Sequence, residues 1–149
     1  MKPSEITERH WLYESISFSF CSTYRSGKWL IGLTLEELDE AWEKVSEALH
    51  DRRLGPAAKA STATKNLTQV DFQQKMIVVY VDDYAIEEKN LTVLKELRAL
   101  GFKGTLKFKR DLETYRGTYG KNSFWMYSRI NTNVVRYKWT KELQKCVSQ

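Results

Sequence analysis

Lys59, Ser61, Thr62 and Thr64 follow in quick succession after the turn at Gly55-Pro56. An amine, three hydroxyls and small alanines between them suit an anion. Short side chains let backbone N–H groups and a lysine reach phosphate oxygens together. The same composition also suits a solvated loop entering a strand, and both readings stand.

A second group lies downstream. Residues 105–109 alternate, with Leu106 and Phe108 on one face and Lys107 and Lys109 on the other, and Arg110 and Asp111 follow. Beyond them Arg116 and Lys121 interleave with Tyr115, Tyr119, Trp125 and Tyr127. Cations among rings are what a nucleotide or single-stranded nucleic acid needs, charge for phosphate and π-faces for bases. The alternative is a loop-rich edge whose rings pack back onto a sheet. Asp82 and Asp83 form a third candidate. Adjacent carboxylates at a strand end can bind a metal or do acid–base work, but Asp83 is better placed to cap the following helix. Cys21, Cys146, His10 and His50 show no metal-ligand spacing, so neither a metal nor a cofactor is expected.

The elements that must position these residues are marked by periodicity. The arm to about His10 reads as polar and loose, followed by the aromatic anchor Trp11-Leu12-Tyr13. Residues 15–20 alternate as a strand with Ile16, Phe18 and Phe20 inward, and residues 28–33 form a second strand, in which Trp29 is a core or pairing residue. From 34 to 52 the spacing predicts a helix. Thr34 and Glu37 make a capping box, and Leu35, Leu38, Trp42, Val45 and Leu49 recur at three and four. Residues 65–74 read as a connection, and 75–81 as a central strand covered on both faces. A helix follows over 86–100, with Leu91, Leu94 and Leu97 inward and Gly101 as its stop. Residues 133–139 form a last strand, and 140–149 a short helix or tail.

The expected architecture is α+β: one curved, mainly antiparallel sheet backed by two or three helices. At 149 residues the chain fits a single domain, 1–149. Thirteen per cent aromatic content and a formal charge of +5 lean toward anionic, ring-bearing partners. No apolar run approaches the length of a membrane span or a signal sequence, so no membrane partner is expected and the cytoplasm, or the nucleus, is the expected location.

Gly27-Lys28-Trp29, the helix centred on Leu38 and Trp42, Leu54-Gly55 with Lys59-Ala60-Ser61-Thr62, Tyr80 and Asp83, and Leu106 with Phe108-Lys109-Arg110-Asp111, Thr114, Gly117 and Tyr119 keep the order and spacing of a known family. Over residues 27–129 the chain resembles the basophilic-leukaemia-expressed protein family, often labelled a phosphothreonine lyase domain. The N-terminal arm and residues 130–149 lie outside the resemblance. It implies a fold like that of the cap-binding translation initiation factor, with helices on the convex side of the sheet. It does not imply cap binding, which requires two rings sandwiching a purine. Trp29 and Trp125 are candidate rings, but nothing in the sequence sets them face to face.

Three functions follow. The first is a binding module for a phosphate-bearing ligand, a nucleotide or RNA, using Lys59, Ser61, Thr62, Lys107, Lys109, Asp111, Arg116, Tyr119 and Trp125. The second is an enzyme acting on a phosphoester. Elimination from phosphothreonine needs a base, which Lys59 or Lys109 supplies if burial lowers its pKa, with Asp111 or Tyr119 assisting. The third is a domain whose aromatic surface meets a protein partner.

Overall fold

The structure, a computed structural model, describes residues 1–17, 20–64, 74–117 and 124–137. Among the described residues seven strands form one sheet: Trp11–Ser15 (β1), Gly27–Thr34 (β2), Ala57–Ser61 (β3), Gln74–Val81 (β4), Leu106–Arg110 (β5), Met126–Ser128 (β6) and Val135–Tyr137 (β7). Their spatial order is β1-β3-β4-β2-β5-β6-β7, and every neighbouring pair is antiparallel. Helices Leu35–His50 (α1) and Glu87–Ala99 (α2) and the short Asp111–Tyr115 (α3) complete it. This is the expected α+β architecture, a curved sheet backed by helices.

Alternation along the strands separates two faces. Trp29 and Ile31 of β2, Ile77, Val79 and Val81 of β4, and Leu106 and Phe108 of β5 join Leu38, Trp42, Val45 and Leu49 of α1 and Val93, Leu94 and Leu97 of α2 in one core. Each such side chain contributes about 1.5–3 kcal/mol by leaving water. Trp29 is fully buried, and its indole N–H donates to the Asn90 carbonyl at 3.1 Å. The opposite, open face carries only a small apolar patch of Ala57, Val78 and Tyr80, flanked by Trp11, Phe20, Leu30 and Met76.

The α1 stripe is as its spacing predicts, and its capping box is present. The Glu37 amide donates to Thr34 Oγ1 at 3.3 Å, while the Thr34 amide donates to Glu37 Oε1 at 3.0 Å. That backbone bond, with the threonine hydroxyl, holds the Glu37 carboxyl below its usual range. The helix stops short of 52. Arg52 turns left-handed (φ 61°), and the Arg53 amide reaches back to the Ala48 carbonyl. Helix α2 ends at the expected place. Gly101 has φ 100°, and the Phe102 amide closes on Leu97 O at 3.2 Å.

Five expectations are corrected. The first strand is Trp11–Ser15, not 15–20, because its partner β3 sets the register from Trp11↔Ser61 to Ser15↔Ala57. Phe18 lies outside the described residues, while Ile16 and Phe20 pack at the sheet margins. The arm is docked rather than loose. Pro3–Glu5 is a 3-10 turn, Ser4 N–H donates to Asp39 at 2.9 Å, and Ile6 is 4% exposed. The stretch around Lys59 is strand β3, between β1 and β4, not a loop. Asp83 does not cap α2; its Oδ1 accepts from Ala85 N–H in a turn before the helix, and its Oδ2 pairs with Arg25. The segment after β5 begins as helix α3 instead of irregular chain. The connection 65–74 up to Gln74, and the chain beyond 137, lie outside the described residues.

Candidate functional site

The registers bring a set of cations together on the open face. Lys28 on β2 lies opposite Tyr80 of β4 on one side and Lys109 of β5 on the other. One step along, Lys59 of β3 lies opposite Tyr13 of β1 and Val78 of β4. The Lys59 amine sits 4.1 Å from the centre of the Trp11 ring and 5.9 Å from that of Tyr80, and the Lys28 amine 5.8 Å from Tyr80. Tyr80 is therefore a shared floor, with Phe20 tilted against it at 5.4 Å.

Two carboxylates act on this group, Asp111 directly and Glu113 through its charge on Lys109. Asp111, the first residue of α3, is almost wholly buried and accepts from Lys28 Nζ at 2.6 Å and from Ser22 Oγ at 2.6 Å, and also from the Ser26 hydroxyl. Burial alone would raise its pKa, but the hydrogen bonds from Lys28, Ser22 and Ser26 and the Lys28 charge outweigh it and hold the carboxyl low. Lys28 is thereby fixed in place. Lys59 and Lys109 feel the opposite balance. Burial, then the Lys28 charge, lowers both amines from the usual lysine range, and the Lys109 charge adds to this at Lys59; Asp111 opposes it at Lys59, and Glu113 and then Asp111 oppose it at Lys109. Tyr80 is pushed up by burial, the Asp111 charge and Tyr13. Two desolvated amines therefore stand beside a third cation.

The sequence candidates divide accordingly. Lys59, Ser61, Lys107 and Lys109 share the open face, and Asp111 closes its rim. Ser61 is committed to the sheet, accepting from the Met76 amide at 3.0 Å. Thr62 faces away, its hydroxyl donating to Arg9 O at 2.5 Å and tying down the N-terminal arm. Arg116 is the exposed C-cap of α3. Trp125 lies on the helix side. Its ring meets Tyr84 at 5.1 Å and Tyr137 at 4.9 Å, both edge-on, and the Arg110 guanidinium at 5.4 Å. Trp29 and Trp125 are thus core and core-edge residues and form no sandwich. Arg110, which also pairs with Glu113, belongs to that buttress. Tyr119 and Lys121 lie outside the described residues.

Lys28, Tyr80, Trp11 and Tyr13 were not singled out as ligand contacts. A signal existed for Lys28, since alternation that buries Trp29 necessarily sends its neighbour to the other face. Nothing local marks Tyr80, which reads as one more residue of an apolar run.

A curved antiparallel sheet backed by helices is the fold of the solved eIF4E proteins. The schistosome eIF4E solved with m7GpppA and 4E-BP matches with a TM-score of 0.61 at 18% identity, over 82% of this chain and 70% of that one. Ascaris suum eIF4E-3, solved with an m2,2,7G cap, gives 0.51 at 12% identity over 84% and 67%. C. elegans eIF4E-3 with the 4E-binding protein Mextli gives 0.52 at 11% over 68% and 61%. At such identities the likeness is one of fold. The sequence pattern of basophilic leukemia-expressed protein Bles03 matches residues 19–115, and the chain belongs to that family. Among the described residues no helix is long and apolar enough to cross a membrane.

Proposed function

We propose that the protein is a binding module for a phosphate-bearing ligand, a nucleotide or RNA, held on the open face by Lys28, Lys59 and Lys109. One observation carries this reading: the Lys28 and Lys59 amines lie 5.8 and 5.9 Å from the centre of the Tyr80 ring, and Lys109 stands opposite Lys28 across the β2–β5 pair. Asp111 orients Lys28, while the Lys59 amine sits over the Trp11 and Tyr80 rings, so the cradle is floored by rings. A phosphate there returns to Lys59 and Lys109 the favourable charge environment that burial removes. The eIF4E relatives in fold, solved with cap nucleotides, support a nucleotide as the bearer of that phosphate. A methylated base is not part of the proposal, because the ring pairs among the described residues are tilted or edge-on rather than parallel.

Titration with a nucleoside triphosphate at low and high salt tests it. Binding should weaken as salt rises, since each phosphate contact releases counterions. Lys109→Met should weaken binding at least about tenfold, in keeping with the loss of a charge-assisted contact of roughly 1.5–3 kcal/mol. Salt-independent binding, or a Lys109→Met protein with wild-type affinity, contradicts the proposal.

A second reading, elimination of phosphate from phosphothreonine, has one observation in its favour: the lowered Lys59 and Lys109 amines suit a base. The base would take the α-proton as the Cβ–O bond breaks and the alkene forms. An acid for the departing phosphate is the obstacle. Asp111 is held ionised, Tyr80 keeps its proton more tightly than usual, and His50 is engaged with Glu14 at 2.8 Å. Failure of a phosphothreonine peptide to release phosphate at high protein concentration ends this reading.

A further inference from the structure

The lysine cradle occupies only the β3-to-β5 part of the open face, and the face continues beyond it. The registers align one row across the sheet: Tyr13↔Lys59↔Val78↔Leu30↔Lys107↔Tyr127↔Arg136. On the far side of the cradle, Lys107 lies 5.2 Å from the centre of the Phe124 ring, and Phe124 meets Tyr127 edge-on at 6.1 Å. Arg136 and Lys107 are exposed, and Tyr127 is half-buried. With neighbouring strands about 4.8 Å apart, Lys107 stands roughly 14 Å from Lys59 and Arg136 a further 10 Å or so beyond. Lys107 is only two residues, about 7 Å, along β5 from Lys109, but Arg136 lies beyond the reach of a mononucleotide phosphate in the cradle.

Charge narrows what can. Of the acidic residues in the described strands there is one, Glu14, and its register turns it away from Lys59's face, where it accepts from Ser46 and His50 of α1. The strands therefore offer the open face Lys28, Lys59, Lys107, Lys109 and Arg136 with no carboxylate of their own. Lys107, Tyr127 and Arg136 alternate cation, ring and cation on adjacent strands, which suits a chain whose repeat is one phosphate and one base.

We infer that Lys107, Phe124, Tyr127 and Arg136 form a track for a single-stranded polynucleotide whose terminal phosphate is held in the lysine cradle. The inference rests on the phosphate-binding reading above and specifies its ligand as a chain instead of a mononucleotide. Tyr127 offers a ring for a base, and Phe124 lies beneath the Lys107 amine beside it. Lys107 and Arg136 neutralise successive phosphates on either side of Tyr127. The row spans about 24 Å from Lys59 to Arg136, the scale of a site for several nucleotides among the roughly 4–16 that single-strand-binding barrels cover.

The test compares a nucleoside triphosphate with 5′-phosphorylated oligonucleotides of about eight nucleotides, as RNA and as DNA. A poly-glutamate peptide of matching charge is the third ligand. The oligonucleotide should bind at least tenfold more tightly than the mononucleotide, with a steeper salt dependence. The preferred sugar names its source. Phe124→Ala and Arg136→Ala should each reduce oligonucleotide affinity several-fold to tenfold and leave mononucleotide affinity unchanged. Arg136, exposed on the edge strand, serves as the variant least able to disturb folding. Equal affinity for mononucleotide and oligonucleotide overturns the track while the cradle stands. Poly-glutamate binding as tightly as the oligonucleotide overturns it in favour of an acidic protein partner. Binding of none of the three overturns both the track and the cradle.

Discussion

The Lys28 amine lies 2.6 Å from Asp111 Oδ1, and the pair is nearly closed off from water. Lys28 comes from the middle of the sheet and Asp111 from the first residue of α3, so this contact ties the helix to the open face and sets the rim of the cradle. A buried pair of this kind adds little net stability, but losing one partner strands the other. That asymmetry gives the first expectation.

Asp111→Ala should cost about 3–5 kcal/mol by stranding Lys28, alongside the lost bonds from Ser22 and Ser26. The pH dependence follows from the direction of the shift. The carboxyl is more acidic folded than unfolded, so its contribution is complete above the ordinary aspartate range near 3.9 and is lost as pH falls through the lower folded value. Urea unfolding from pH 7 down to about 2 checks this. The wild type should lose stability over the acid limb, and Asp111→Asn, less stable throughout, should lose less.

Lys59 gives an expectation of opposite sign. Its amine is less basic folded than unfolded, so its charge burdens the fold at neutral pH, and the burden lifts as pH rises toward the unfolded value. Lys59→Met keeps the chain length and removes the charge. It also removes the cation–π contact to Trp11, worth about 0.5–1 kcal/mol, so stability should change by no more than about 1 kcal/mol and most plainly in the upward direction. Anion affinity should fall about tenfold. Stability kept and binding lost together, measured by thermal melts and titration, mark a residue retained for its ligand.

Arg98 is a structural clamp. Its guanidinium donates to Thr132 O and Phe102 O at 2.8 and 2.7 Å, and to Gly104 O, Ser128 Oγ and Arg129 O, gathering the α2–β5 turn and the β6–β7 turn. Arg98→Ala should cost about 3 kcal/mol, because several carbonyls lose a charged donor at once. At roughly 2–4 °C per kcal/mol, that lowers the melting temperature by about 10 °C. Arg98→Lys should recover little, since an ammonium cannot span the fork.

Gly55 sets the approach of the α1–β3 turn to the site. A Cβ there would fall 1.8 Å from the Tyr80 carbonyl oxygen, which is backbone and cannot swing away. Gly55→Ala should therefore displace β4 at Tyr80 and destabilise by more than about 3 kcal/mol, within the tail reserved for severe overpacking. Gly32, with open space around its would-be Cβ, is the control, and Gly32→Ala should be neutral or slightly stabilising in denaturant titrations.

What the sequence disclosed depended on how local the cause was. The capping box at Thr34 and Glu37 and the stop at Gly101 are written in a few adjacent residues and are found as expected. The alternation of Leu106, Lys107, Phe108 and Lys109 likewise placed two lysines on the open face. The strand β3 was hidden because Ala57-Ala58-Lys59-Ala60-Ser61 has no β-branched residue and is held as a strand by its neighbours on both sides. The start of the sheet was misplaced for the same reason. Residues 15–20 alternate well, but the partner for pairing runs opposite Trp11–Ser15. The convergence of Lys28, Lys59 and Lys109 joins β2, β3 and β5, and only the strand order brings them together. Trp125 read as a ligand ring because its neighbours are basic and aromatic. The ring is instead covered by Tyr84, Tyr137 and Arg110.

The most direct measurement of the central claim is lysine side-chain NMR during titration with a nucleoside triphosphate. Lys28, Lys59 and Lys109 should shift together along one saturable curve, while Lys44 and Lys95 on the helices stay in place. Coincident shifts of those three locate the phosphate in the cradle. Saturable binding that moves other lysines and leaves these three unchanged would contradict the account.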